Sequence, residues 1–291
     1  MRVVLMHNPS AGGEDHSADH LMDDIRRAGH DLVGHVTRKK DLRRAIRARC
    51  DLVAAAGGDG TVGKVATVLK DTGIPLAVLP LGTANNVART LRLTGTTTEQ
   101  IAAWKYAAIT GFDVAVATFR REAVIFIEGL GFGAFPHVMR RALRAGDPQD
   151  PAATLARDIQ LLRQRIRRAP ARPYDICADG RDLSGSYFLV ELLNIPCLGP
   201  NVCLAPCASP ADGKLDVVAA GEAERDTLLR DLDRLARGEE VTFSVPTYQA
   251  AEVSIRARLR RHHRDGDLAE DPLKRLDAVV DRHALQVLSA R

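Results

Sequence analysis

Aromatic residues are scarce in this chain: Phe, Trp and Tyr together make up 4% of it, with a single Trp. Base-stacking platforms of the kind that hold single strands are therefore excluded as its main surface, and no nucleic-acid partner is expected. Long hydrophobic runs are missing too. No segment approaches the roughly 20 apolar residues that a membrane-spanning helix needs. The stretch Met1-Arg2-Val3-Val4-Leu5-Met6-His7 is too short for a signal-peptide core and lacks a cleavage site, so it reads as a first strand. Cysteine is sparse: Cys50, Cys177, Cys197, Cys203 and Cys207 are odd in number and form no Cys-x-x-Cys pair. That spacing fits no zinc pattern and predicts reduced thiols in a cytoplasmic protein, with Cys197, Cys203 and Cys207 as small buried or loop residues. Internal repeats and low-complexity linkers are also absent.

What is present suits an ordinary globular chain. Its 291 residues are 45% hydrophobic and 27% charged, enough for two domains with separate cores. The net charge of +4 serves solubility first, and adds a weak attraction to anionic ligands or an anionic membrane surface.

One stretch organises the rest, Asp51-Leu-Val-Ala-Ala-Ala-Gly57-Gly58-Asp59-Gly60-Thr61. An apolar run stops at two glycines; then Val62, Val65, Ala66 and Leu69 recur at helical spacing. This predicts buried strand, tight turn and helix start, a place where backbone N–H groups attract phosphate. Two more turns of small residues follow strands in the same way: Asn8-Pro9-Ser10-Ala11-Gly12-Gly13, and Pro80-Leu81-Gly82-Thr83-Ala84-Asn85-Asn86. Strand and helix alternate four times up to about residue 110, which predicts a mostly parallel, doubly wound sheet with all three turns at its carboxyl edge. Beyond that the pattern turns to antiparallel strands. Glu128-Gly129-Leu130-Gly131-Phe132-Gly133 reads as a further glycine-dense turn, residues 146–152 as a chain break, and Leu183–Leu193 as one strand of a hairpin with Tyr174–Ala178. Strands are expected at Val241–Val245, Ala278–Val280 and Ala284–Leu288 among others, and an Arg-studded amphipathic helix around Leu155, Ile159, Leu162 and Ile166.

The central turn admits several readings. Gly58-x-Gly60-x-x-Gly63 matches a dinucleotide fingerprint, but the next strand ends Ala77-Val78-Leu79-Pro80 without the acid that would hold a ribose, so that reading is rejected. Gly58 to Lys64 is one residue short of a P-loop, and Val65 stands where a hydroxyl should bind Mg²⁺; this alternative stays open. Taken whole, Gly57 to Thr61 resembles the nucleotide motif of the diacylglycerol kinase catalytic family, which includes bacterial lipid kinases and sphingosine kinases. Four further segments resemble that family in the same order: Asn8 to Gly12, Pro80 to Asn86, Pro206 to Asp216, and Asp265-Gly266-Asp267. NAD kinases share the Gly-Gly-Asp-Gly-Thr turn but not the second turn or the Asp212-Gly213-Lys214-Leu215-Asp216 segment.

The resemblance implies an α/β nucleotide-binding domain over residues 1–118 and a β-sandwich acceptor domain over 119–291, whose last strand can return to the first. It implies an ATP- and Mg²⁺-dependent kinase for a lipid hydroxyl, with a diacylglycerol-like acceptor favoured. Asn8, Thr37, Gly57, Gly58, Asp59, Gly60, Thr61, Gly82, Thr83 and Asn86 would lie at the nucleotide, and Asp59 would act through Mg²⁺ or by fixing its turn. Asp267, where the family carries Glu, or Asp265 would be the base. Asp212 would bind a structural Mg²⁺ with the carbonyls of Ser209 and Lys214. Partners would be ATP, a lipid acceptor and, transiently, a membrane surface, placing the protein in the cytoplasm and peripherally at the inner membrane; a homodimer is compatible with all of this. Asn86 replaces a frequent Asp, which leaves a catalytically impaired nucleotide- or lipid-binding regulator as the other reading, beside a NAD kinase-like enzyme.

Overall fold

Period-two and period-3.6 apolar patterns divide the chain into two kinds of architecture, and the contacts follow that division. The computed structural model describes residues 1–12, 16–119, 122–145, 150–199, 201–270 and 272–289. The chain forms two compact units, Met1–Asp113 with Arg282–Arg291, and Val114–Asp281.

In the first unit the strands are β1 (Arg2–His7), β2 (Asp31–Val36), β3 (Leu52–Gly57) and β4 (Leu76–Pro80). Between and after them come α1 (Ala18–Arg27), α2 (Lys39–Ala45), α3 (Asp59–Leu69), α4 (Asn86–Thr90) and α5 (Thr97–Ala103). The sheet runs β2-β1-β3-β4 and is parallel throughout, with Val3 opposite Leu52 and Val53 opposite Leu76. Near the C-terminus Val287 joins β4 in parallel, opposite Leu76. β3 is buried along its whole length, as its unbroken apolar run requires of a central strand covered on both faces. On one face Val3, Leu5, Leu52, Ala54 and Leu79 pack with Leu21 and Ile25 of α1 and with Ile101 and Trp104. On the other face α2 and α3 meet the sheet and each other. Each fully buried Leu or Val contributes about 1.5–3 kcal/mol. At the start of α5, Thr96 and Glu99 close a reciprocal capping box.

The second unit holds β6 (Glu122–Phe126), β7 (Gly129–Gly133), β8 (Arg172–Ala178), β9 (Arg181–Asp182), β10 (Gly185–Tyr187), β11 (Leu189–Leu193), β12 (Leu215–Ala220), β13 (Thr247–Ala250), β14 (Glu252–Leu259), β15 (His262–Arg264) and β16 (Asp267–Ala269). Two strands begin or end in the other unit, β5 (Ala108–Phe119) and β17 (Leu273–Ser289). One sheet runs β13-β12-β11-β7-β15-β16, antiparallel at every step. A second has β10, β8, β14 and the first part of β17 side by side, also antiparallel. Phe126, Leu130, Phe132, Val190 and Leu192 interdigitate with Tyr174, Ile176, Val253 and Ile255 to form the core of a sandwich. The outer face of the first sheet carries α6 (Ala134–Ala145), α7 (Pro151–Arg168) and α8 (Arg225–Ala236), with Phe135, Ile159, Leu162, Leu228 and Leu232 in one cluster.

Several local expectations are corrected. Gly129–Gly133 is a buried central strand and no turn: its glycines are there because neighbours fill the space of a Cβ, Glu191 beside Gly131 and Leu193 beside Gly129. Leu183–Leu193 is not one strand; β10 stays with β8 while β11 crosses to the other sheet, where both its faces are buried. Val241–Val245 is extended chain outside the ladders, with Phe243 buried among the helices. The two C-terminal segments are one long strand, β17. Of the expected break at 146–152, residues 146–149 lie outside the described residues, and α7 begins at Pro151 under an Asp150 cap. Cys197 and Cys203 form a disulfide, Cα atoms 3.8 Å apart. The reason is local: Leu198 and Val202 exchange backbone hydrogen bonds of 3.1 and 3.2 Å, so the flanking residues face each other.

Candidate functional site

β2 lies on one side of β1, while β3 and then β4 lie on the other, so the order of connection reverses between β1 and β3. Parallel sheets leave a crevice for ligands at the carboxyl end of such a switch point. Asn8 leaves β1 there and Gly58 leaves β3. The Asn8 N–H donates to Ala56 O at 2.9 Å, and the Leu81 N–H donates to Gly57 O at 3.0 Å. All three small-residue turns are therefore neighbours within the first unit. Thr37 follows β2 on the same edge and is exposed.

The glycines are explained by what touches them. A Cβ on Gly82 would stand 2.5 Å from Gly58 Cα, and one on Gly57 would stand 2.4 Å from Thr61 Oγ1. The two turns thus meet backbone to backbone, with buried Thr61 folded over Gly57. Gly82→Ala is expected to force them apart and lower stability by about 1–3 kcal/mol, read as a fall in thermal midpoint. Asn85 holds the second turn from within. Its Oδ1 accepts from Gly82 N at 3.0 Å, its Nδ2 donates to Gly82 O at 2.7 Å, and its backbone is left-handed at φ 51°. Asn is among the few side-chain-bearing residues that adopt this conformation readily.

Asp59 does not cap its own helix. Its carboxylate accepts from Asn86 N and Val87 N, each at 3.0 Å, and so caps α4. Burial raises its pKa against the lowering influence of those amides. Gly60, at the start of α3, is exposed, and a Cβ there would meet nothing within 4 Å. Thr83 is exposed beside Gly82, whereas Asn86 is buried.

In the second unit, Asp265 and Gly266 form the two-residue turn of the β15–β16 hairpin, with Arg264 opposite Asp267. Asp265 is left-handed at φ 49°. Its carboxylate accepts from Ile127 N at 3.2 Å, Glu128 N at 2.8 Å and Gly129 N at 3.1 Å, while its own N–H donates to Gly129 O at 2.7 Å. Burial pushes its pKa up to about 6, opposed by those amides. The Asp267 side chain is 80% exposed and meets Arg264 Nη2 at 3.3 Å. Ser209, Asp212 and Lys214 lie in the loop before β12. Asp212 Oδ1 accepts from Lys214 N at 3.0 Å and Oδ2 from Gln249 Nε2 at 3.3 Å. Nearby Asp216 is buried, which pushes its pKa up to about 6, and its Oδ2 has no hydrogen-bond partner among the described residues. Gln249 is on β13, at the opposite edge of the sheet from β16, so the structure separates the Asp212 loop from the Asp265 hairpin.

Three residues that hold these turns and strands escaped the sequence reading. Asn85 was seen only as part of a motif. Glu191 and His263, a buried pair 2.7 Å apart, carry no local signature; their closeness depends on β11 and β15 both flanking β7.

Residues 2–117 match the family profile described as diacylglycerol kinase catalytic domain, and residues 154–289 match the YegS C-terminal NAD kinase beta sandwich-like domain. A diacylglycerol kinase of Mycobacterium tuberculosis (strain ATCC 25618 / H37Rv) is 28% identical over 285 residues, 96% of this chain and 84% of that protein. One of Bacillus subtilis (strain 168) is 27% identical over 255 residues, 82% of this chain and 80% of that protein. Among solved structures, a diacylglycerol kinase from Bacillus anthracis str. Sterne superposes with a TM-score of 0.73 at 19% identity, covering 99% of this chain and 97% of that one. An NAD kinase from Archaeoglobus fulgidus in complex with ATP gives 0.56 at 11%, covering 99% and 94%, a likeness of fold. An α/β unit followed by an antiparallel sandwich, matched in these two profiles, defines a kinase, a phosphotransferase with an alcohol group as acceptor. Over residues 2–117 the chain belongs to the diacylglycerol kinase catalytic-domain family.

Proposed function

We propose that this kinase transfers the γ-phosphoryl group of ATP, with Mg²⁺, to a lipid hydroxyl, a diacylglycerol-like alcohol being the favoured acceptor. The observation that carries the reading is the clamp at the switch point: Asp59 bonded to the Asn86 and Val87 amides, and Gly58 packed on Gly82. It leaves Gly60 at the start of α3 exposed, as a phosphate cradle needs to be. In this reading residues 1–118 bind nucleotide and residues 119–291 take the acceptor.

Phosphoryl transfer asks the protein mainly for positioning and charge stabilisation. Amides of residues 57–61 hold the phosphates, with Asn8, Thr37, Gly82, Thr83 and Asn86 around the nucleotide. Mg²⁺, when bound, neutralises charge on the phosphates. The protein need supply only one or two oxygens to such an ion, and Asp59 fits, because a carboxylate has lone pairs beyond the two amide bonds. Asp267 takes the acceptor's hydroxyl proton, and Asp265 fixes the hairpin that carries it. In the second unit, Asp212 with the Ser209 and Lys214 carbonyls would hold a structural Mg²⁺. The buried Asp216 carboxyl, whose Oδ2 has no hydrogen-bond partner among the described residues, fits a nearby cation.

Incubation of the full chain with γ-labelled ATP, Mg²⁺ and a panel of diacylglycerol, other lipid alcohols and NAD tests this. Label is expected on diacylglycerol or a related lipid. Label on NAD alone would assign the NAD kinase-like reading, and nucleotide binding without transfer to any acceptor would assign the regulator.

A further inference from the structure

The second unit contains a cavity of about 390 Å³ that none of these roles uses. Arg172 at the start of β8, Arg258 in β14, and Arg260 and Arg261 in the turn that follows it all line this cavity. Tyr174 of β8 and His137 of α6 complete the wall. Among the described residues, Glu270 pairs with this set through Arg261. Arg261 Nη1 also lies 3.5 Å from His137 Nδ1.

The surroundings add positive charge. His137 is pushed down to about 4 by burial and then by Arg165, Arg261, Arg140 and Arg172. Arg165 is itself lowered by burial, with Arg172 and Arg261 adding to the effect. Buried Nε atoms of Arg140 and Arg165 have no hydrogen-bond partner among the described residues. Burial, followed by Glu191, pushes Tyr174 up to about 12, so it remains a phenol. Guanidinium groups gathered this closely repel one another, and an anion relieves the repulsion. Their planar forks match the oxygens of a phosphate group. The volume lies in the range of small-ligand sites and admits a phosphate ester with its glycerol-sized substituent.

We propose that this arginine-lined cavity is a binding site for a phosphate group, supplied by an acidic phospholipid headgroup or as free phosphate. Four arginines from β8, β14 and the turn after β14 grip its oxygens, while neutral His137 and Tyr174 face it.

The test uses the full chain and two double variants of equal charge. Arg172→Gln/Arg260→Gln alters exposed residues of the cavity, and Arg43→Gln/Arg44→Gln alters exposed residues of α2. Both are first checked for an unchanged thermal midpoint. Inorganic phosphate binding is followed by calorimetry and by the His137 ring resonances, which are expected to shift as the bound anion raises its pKa. Co-sedimentation is followed with phosphatidylglycerol vesicles and with phosphatidylcholine vesicles. The cavity variant is expected to weaken anion binding at least tenfold, and the α2 variant less than twofold. Saturable phosphate binding with that pattern assigns free phosphate; capture by phosphatidylglycerol vesicles alone with that pattern assigns the headgroup. Equal losses in the two variants, equal capture by phosphatidylcholine vesicles, or no binding of either anion overturns the proposal.

Discussion

Asp267→Asn is expected to lower kcat by about 10²–10⁴-fold, the usual contribution of a positioned base, with little change in KM for ATP. The choice between the two acids of the hairpin rests on what each already holds. Asp265 is committed to three backbone amides of residues 127–129. Asp267 has one contact, to Arg264, and is otherwise exposed. A base must be free to reach its proton, and only Asp267 is. Asp267→Glu, which adds the methylene usual in the family, is expected to keep activity within tenfold of the parent. Asp265→Asn tests the other role. With its pKa at about 6, Asp265 loses the ionised form that accepts those amides as pH falls through that value. A fall in kcat below pH 6 is expected in the parent and should be lost in Asp265→Asn, together with a lower thermal midpoint. If Asp267→Asn retains activity and Asp265→Asn abolishes it without loss of stability, the two roles are exchanged.

Much of the first unit was legible because its signals are local. The apolar run at Leu52–Ala56 has only one use in a doubly wound sheet, a strand buried on both faces, and β3 is that strand. Gly57, Gly58 and Gly82 stood out in the sequence as places where backbone meets a nucleotide; the structure gives them a mutual packing reason, since a Cβ on Gly82 meets Gly58 and one on Gly57 meets Thr61. The structural partners of Asp59, the Asn86 and Val87 amides, were not legible. A helix-start Asp ordinarily bonds its own first turn, and nothing in the sequence says that residues 86 and 87 arrive 3.0 Å away.

The second unit was harder to read because its glycines and charges answer to long-range neighbours. Gly129, Gly131 and Gly133 look like turn residues by composition. They occupy a central strand because β11 packs a carboxylate against Gly131 and a leucine against Gly129. The two halves of Leu183–Leu193 look continuous, yet they belong to different sheets. The disulfide between Cys197 and Cys203 depends on a two-residue bridge that spacing alone does not reveal. The link of the Asp265 turn to residues 127–129 spans 136 to 138 positions of sequence.

His263→Ala is expected to cost about 3–5 kcal/mol in urea unfolding, the largest stability effect anticipated for a single side chain here. Glu191 and His263 are 0% and 2% exposed, and Glu191 Oε2 lies 2.7 Å from His263 Nε2. Burial works against the charged imidazole, but Glu191 and Asp265 together outweigh it, and the His263 pKa is raised. Its other ring nitrogen lies 3.3 Å from Asp265 O, so both nitrogens face oxygens, the arrangement an imidazolium satisfies. Removing the ring leaves a fully buried acid, its pKa already raised by burial, with no exit to water and boxed in by Gly131, where even a methyl group would collide with it. The cost therefore comes from the abandoned buried acid, left unpaired or forced to take up a proton, more than from the lost bond. Replacing both partners with leucine should then be less damaging than His263→Ala, and a double-mutant cycle measures the difference. Because His263 also holds the Asp265 carbonyl, the single variant should loosen the hairpin and lower kcat along with stability. The Leu/Leu variant, if folded, should recover stability without recovering kcat, separating the pair's part in holding the sheet from its part in aiming Asp267.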